Sequence, residues 1–190
     1  MSPKNELPVA WSRLDVAEGL CVGTLVTERR GFRLEAGEVV ADLRERYSCR
    51  FSVHTDLAWT TREARVDVVD ARGTHTLELV NRAGQWTVNG TAAPELEGCV
   101  DVDVAAAPLT NTLPIRRLGL EPGEHRDIHV AWVDVPGLKV KRMRQRYTRL
   151  PPSEGLDRYE YRDSGFGAFG LTVDGNGMVV DYERLARRIP

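Results

Sequence analysis

Asp101 and Asp103 stand two apart in the run Val100-Asp101-Val102-Asp103-Val104. On an extended strand that spacing puts both carboxyls on one face with Cα atoms about 6–7 Å apart, close enough for acid-base work or a shared cation. Pairing with arginine is the more ordinary use of such carboxylates, and the chain carries 23 Arg against 3 Lys. Other candidate chemistry falls away. His125 and His129 have the i, i+4 spacing of a helical zinc pair, but Arg126 to Val135 reads as a strand. Four strand residues span about 13 Å, too far for two ligands about 2 Å from one metal. His54 and His75 are isolated, so neither a metal nor a cofactor is expected. No nucleophile elbow, phosphate loop, dinucleotide fingerprint or Cys-x-x-Cys is found, and Gly165 to Gly170 reads as a glycine-spaced strand entry with no helix after it.

Lys139 to Arg149 is the most basic stretch, with Arg142, Arg144 and Arg146 on one strand face and Met143, Gln145 and Tyr147 on the other. It has the charge for an anion-binding wall. The following strand, Asp157 to Asp163, supplies Asp157, Glu160 and Asp163, so cross-strand pairing on a solvated face is the favoured account. With a net charge of -2 the whole chain lacks the basic surplus that a nucleic-acid binder needs.

The elements that must position these groups are strands. Tyr47, Cys49, Phe51 and Val53 alternate with Arg46, Ser48, Arg50 and Ser52, and the same period recurs in Ala64, Val66 and Val68, in Leu77 and Leu79, and in Phe169, Leu171 and Val173. Turns fall at Glu28 to Gly31, Ala71 to Gly73, Asn81 to Gly84, Asn89-Gly90, Pro151-Pro152 and Asp174 to Gly177. About eleven to thirteen short strands follow. Thr110-Asn111-Thr112 before Pro114 looks like a capped helix start, giving one short helix near 112–118, and Tyr182 to Arg188 reads as a terminal helical turn. The fold class is therefore all-β and mainly antiparallel, a curled sheet forming a half-open or spiral barrel, since a long open sheet leaves unpaired edges. Residues 1–190 are read as one domain. Arg44 to Ser48 echoes Arg144 to Thr148, which raises a duplication into half-repeats of about 1–98 and 99–190, with a seam at Pro94 to Cys99.

Cys21, Cys49 and Cys99 are odd in number and lie among apolar neighbours. They fit buried thiols in a reducing compartment, and Met1 to Val9 has no apolar block of signal-peptide length, so a cytoplasmic protein is expected. No stretch approaches the roughly 20 apolar residues of a membrane-spanning helix.

The segment Pro108-Leu109-Thr110-Asn111-Thr112-Leu113-Pro114-Ile115-Arg116-Arg117-Leu118, just after Asp101-Val102-Asp103, is explained by neither composition nor period. It resembles the glycolipid-binding family of bacterial proteins. Asp56-Leu57-Ala58-Trp59 with Thr61-Arg62 looks like that family's D-x-x-W-x-T-R, and Gly84-Gln85-Trp86 before Asn89-Gly90 resembles its G-x-W and glycine turn. Gln145-Arg146-Tyr147, Tyr159-Glu160-Tyr161 and the Asp174 to Gly177 hairpin echo its C-terminal half, although Val180-Asp181-Tyr182 lacks the expected proline. The resemblance implies a sheet similar to that of the lipoprotein-localisation carriers, in which a half-open barrel holds acyl chains.

The leading expectation is thus a non-catalytic carrier whose barrel cavity takes a lipid or glycolipid by burial of methylenes. Trp59, Trp86, Tyr147 and Tyr161 would stack on a sugar head, with Arg62, Arg116 and Arg117 as forked donors and Asp101, Asp103, Asn111 and Gln145 completing the polar set. Two alternatives stand beside it. One is an enzyme acting on a small polar or sugar substrate, with Asp101 or Asp103 as acid or base and Arg116 as an anion clamp. The other is an interaction module with a filled core.

Overall fold

Alternation in the sequence becomes alternation in burial. The computed structural model describes residues 8–190, so most of the amino-terminal stretch read for a signal segment lies outside the described residues. In β4 (Arg46–Asp56), Tyr47, Cys49, Phe51 and Val53 are buried while Arg46 and Arg50 are exposed. This strand pairs antiparallel with β3 (Gly31–Ala41) and β5 (Thr61–Asp70). The meander runs back through β2 (Glu18–Glu28) to β1 (Val9–Arg13), and forward through β6 (Gly73–Arg82), β7 (Gln85–Val88) and β8 (Thr91–Ala92).

A 3-10 turn at Pro94–Leu96 then leads to β9 (Asp101–Val104). A second, Pro108–Asn111, runs straight into the short helix α1 (Thr112–Leu118), which lies where the sequence placed it. The helix stops at Gly119, whose left-handed φ of 53° returns its N–H to the Ile115 carbonyl. The remaining strands are β10 (His125–Val133), β11 (Val140–Ser153), β12 (Leu156–Asp163), β13 (Gly167–Val173), β14 (Val179–Tyr182) and β15 (Ala186–Arg188).

All belong to one fifteen-stranded sheet in the order β8-β7-β6-β5-β4-β3-β2-β1-β15-β14-β13-β12-β11-β10-β9. The parallel pair β9–β10 departs from an otherwise antiparallel ladder. The Asp174 to Gly177 hairpin falls between β13 and β14, with Gly177 N–H donating to the Asp174 carbonyl at 2.8 Å. Apolar side chains of both halves form a single core cluster. Trp11 sits fully buried within it and donates its Nε1–H to the Val179 carbonyl at 2.9 Å, tying β1 to β14. On the outer face Leu20 and Val22 of β2 and Val39 of β3 are exposed.

Three expectations need correction. The barrel is the first. The sheet is open, with β8 and β9 at its two ends and no ladder joining them among the described residues. β8 has two exposed residues and is cut short by Pro94, which blunts that edge. The free side of β9 is occupied instead by Thr61: its N–H donates to the Val100 carbonyl at 3.2 Å, and its Oγ1 accepts from Val102 N–H at 3.3 Å. Second, Tyr182 to Arg188 forms no helical turn, because Ala186–Arg188 pairs with β1. Third, Pro151-Pro152 lies within β11 beside an irregularity in its pairing with β12 and is not a turn.

Candidate functional site

β9 is buried on both faces except at Asp103, which is partly exposed. Val102 and Val104 enter the core, and the opposite face carries Asp101 and Asp103, as their spacing required. The two carboxyls have different fates. Asp101 has no exposure and accepts a forked pair from Arg117 of α1, Nε to Oδ1 at 3.0 Å and Nη2 to Oδ2 at 2.6 Å. Burial pushes its pKa up and the guanidinium opposes the shift. The pair clamps α1 onto the sheet and leaves Asp101 occupied.

Asp103 is held by neutral donors. Thr110 Oγ1 reaches its Oδ1 at 2.9 Å and Gln145 Nε2 its Oδ2 at 2.6 Å. Burial raises its pKa to about 6; those two hydrogen bonds pull it down, while the charges of Asp163 and Asp101 push it further up. Gln145 Nε2 also donates to Tyr161 Oη at 2.9 Å, and its own Oε1 is buried without a partner. Two residues further along β11, Tyr147 donates to Asn111 Oδ1 at 2.9 Å. The Thr-Asn-Thr segment therefore does not cap α1, which has no side-chain cap bond. Thr110 and Asn111 turn instead toward Asp103 and Tyr147.

Asp103 is partly exposed, and it faces a pocket of about 380 Å³. Asn111 and Tyr161 share the lining, together with Asp163 from the end of β12, Trp132 of β10, Phe166, Phe169 and Tyr182. Asp163 Oδ1 accepts the N–H groups of Gly165 and Phe166 at 2.7 and 2.5 Å, holding the β12–β13 turn that brings Phe166 to the rim. Burial also raises the Tyr161 and Tyr182 hydroxyls above the usual phenol range.

The structure thus gathers Asp103, Asn111 and Tyr161 at the pocket, with Gln145 and Tyr147 bonded directly behind them. Trp59, Arg62, Trp86 and Arg116 lie elsewhere. Trp59 stacks on Phe32 with ring centres 3.9 Å apart, and Arg116 sits over its ring at 5.2 Å. Arg62 pairs with Asp56 at 2.5 Å. Trp86 is buried and donates to the Cys99 carbonyl at 3.0 Å. The basic strand finds carboxylates across the ladder, but partly on the preceding strand: Arg144 and Arg146 pair with Asp127 of β10, and Arg149 with Asp157 of β12. Sequence reasoning put Asp163 on that solvated face. Its parity with Tyr159 and Tyr161 was the available signal that it points inward.

Two expectations about function are corrected here. A carrier holding acyl chains in a barrel requires a hollow interior, whereas the sheet is open and its inner face is filled by a continuous core. A non-catalytic reading rested on the lack of any catalytic constellation, and the Asp101, Asp103, Arg117, Thr110 and Gln145 cluster beside a pocket is such a candidate.

These features define an open-sheet β protein with a partly exposed acid in the lining of an aromatic pocket. The family model described as "Putative glycolipid-binding" matches residues 8–188, and the chain belongs to that family. A crystal structure of a DUF1089 family protein from Pseudomonas aeruginosa is 34% identical, with a TM-score of 0.78 over 89% of this chain and 92% of that one. No curated protein matches.

Proposed function

We propose that the protein is an enzyme acting on a small polar, sugar-like substrate in the pocket beside Asp103, with Asp103 taking up and returning a proton. The observation that carries this reading is a carboxyl facing a cavity, held by a hydroxyl and an amide and paired with no cation among the described residues. A carboxyl whose pKa lies near 6 is populated in both forms close to neutral pH, as acid or base catalysis requires. Tyr161, anchored by Gln145, and the other aromatic rings offer flat faces to a pyranose. A volume of about 380 Å³ lies at the small end of ligand sites, about 300–1,000 Å³, and suits a monosaccharide better than an acyl chain. The family's description as glycolipid-binding fits a sugar-like guest. Likeness to the lipoprotein-localisation carriers has no part in this reading. The buried free thiols of Cys21, Cys49 and Cys99 suit the reducing, cytoplasmic setting we propose for it.

The test is turnover of a panel of simple glycosides, sugar esters and sugar lactones, followed by mass spectrometry, for the native chain and for Asp103→Asn. Turnover should fall about 10²–10⁴-fold in the variant, and the native pH profile should inflect near 6. No turnover anywhere on the panel, or an unchanged rate in Asp103→Asn, would overturn the proposal.

A further inference from the structure

Arginine answers the buried carboxylates elsewhere among the described residues: Arg13 pairs with Glu38, and Arg117 with Asp101. Two carboxylates at the pocket are exceptions. Asp103 is held only by Thr110 and Gln145. Asp163 is 8% exposed, spends Oδ1 on two backbone N–H groups, and has no hydrogen-bond partner at Oδ2 among the described residues. The other charges on the lining already have partners: Asp15 shares Arg13 with Glu38, and Arg184 at the rim lies 3.6 Å from Glu183 and donates to the Ala168 carbonyl. The pocket is left with a surplus of negative charge in a confined, largely aromatic setting, which is costly unless something positive enters.

We infer that the substrate carries a cationic amine, and that the guest is an amino sugar whose ammonium group sits between Asp103, Asp163 and the aromatic rings. The inference rests on the reading of this pocket as a sugar site and adds the charge of the guest. Aromatic faces attract ammonium groups through the ring quadrupole. The protein already uses that contact at two of the lining rings, with Lys141 Nζ 4.5 Å from the Trp132 centroid and Arg184 Cζ 4.9 Å from that of Phe169. A phosphorylated or acidic sugar would meet like charge, and a neutral sugar would leave both carboxylates unanswered. A metal ion is a poor substitute, because no group of three or more His, Cys, Asp or Glu side chains among the described residues converges to hold one. Where Asp103 is protonated in the empty pocket, entry of the ammonium displaces that proton to solvent.

Calorimetry on the full chain at pH 7 tests this with D-glucosamine and its uncharged counterpart D-glucose. Glucosamine should bind at least about tenfold more tightly, the scale of one charge-assisted hydrogen bond. Asp163→Asn keeps an oxygen for the Gly165 and Phe166 N–H groups but removes the charge, and should bring the affinities of the two sugars to within about twofold of each other. If that variant fails to fold, Asp103→Asn serves the same comparison. At pH 6, titrations in buffers of different ionisation enthalpy should show proton release with glucosamine and none with glucose. Equal affinities in the native chain, or a preference that survives both substitutions, would overturn the amine while leaving the sugar site standing. Absence of binding by either sugar would overturn both.

Discussion

Two acids, the buried Glu38 and the partly exposed Asp103, one in each half of the sheet, are answered in opposite ways. Glu38 of β3 receives Arg13 Nη1 at 2.7 Å and the Tyr47 hydroxyl at 2.9 Å, while Arg13 also forks onto Asp15 at 2.7 and 2.8 Å. Every partner in that cluster is spoken for. Asp103 of β9 is met by a hydroxyl and an amide, with Gln145 Oε1 left without a partner and a pocket in front. The first arrangement fastens strands together. Burial raises the proton affinity of both carboxyls, but the second is kept without a cation at a surface a guest can reach, an expense of stability that belongs to sites.

This contrast breaks most visibly at Glu38. Glu38→Ala should cost about 2–4 kcal/mol in chemical denaturation, because it leaves both Arg13 Nη1 and the Tyr47 hydroxyl without their acceptor, although Arg13 keeps its fork onto Asp15. A loss under about 1 kcal/mol would mean that the cluster is not fastening anything. The two tyrosines of the sequence echo sharpen the point. Tyr147→Phe should cost about 1–3 kcal/mol, since it leaves the buried Asn111 oxygen without its donor. Tyr47→Phe should cost less, about 0.5–1.5 kcal/mol, because Glu38 keeps Arg13. Equal losses would erase the difference between the clusters.

The stability effect expected at the site itself has an unusual sign. Asp103 binds its proton more tightly in the folded state, with a pKa of about 6 against an ordinary 3.8. Its contribution to stability is therefore complete below about 4 and is lost as pH rises through 6. Asp103→Asn should leave the melting temperature little changed at pH 4 and raise it at pH 8, on the scale of about 2–4 °C per kcal/mol. A lower melting temperature at pH 8 would show the carboxylate to be a structural partner like Glu38.

Much of this was legible in the residues. Alternation placed Tyr47, Cys49, Phe51 and Val53 on one buried face, the proline near its start placed α1, and the spacing of Asp101 and Asp103 put both on one side of β9. Period two does not distinguish an open sheet from a curled one, since inward and outward residues alternate in both, so the barrel was an overreach. What decided the matter was local: the two-residue β8 and the capture of β9 by Thr61. Trp59 and Trp86 illustrate another gap, because a tryptophan suited to a sugar is equally suited to a core, and these two pack against Phe32 and the Cys99 carbonyl. Asp163 was hidden by the arginines of the neighbouring strand, which made a solvated ion pair the easier reading.

The protonation of Asp103 itself is the most direct measurement. A carboxyl-carbon NMR titration, with the Asp103 resonance assigned by its loss in Asp103→Asn, should show a midpoint near 6. A midpoint at or below the ordinary carboxylate value of 3.8 would contradict the account, because it would place a compensated, structural carboxylate where the pocket is held to keep an active one.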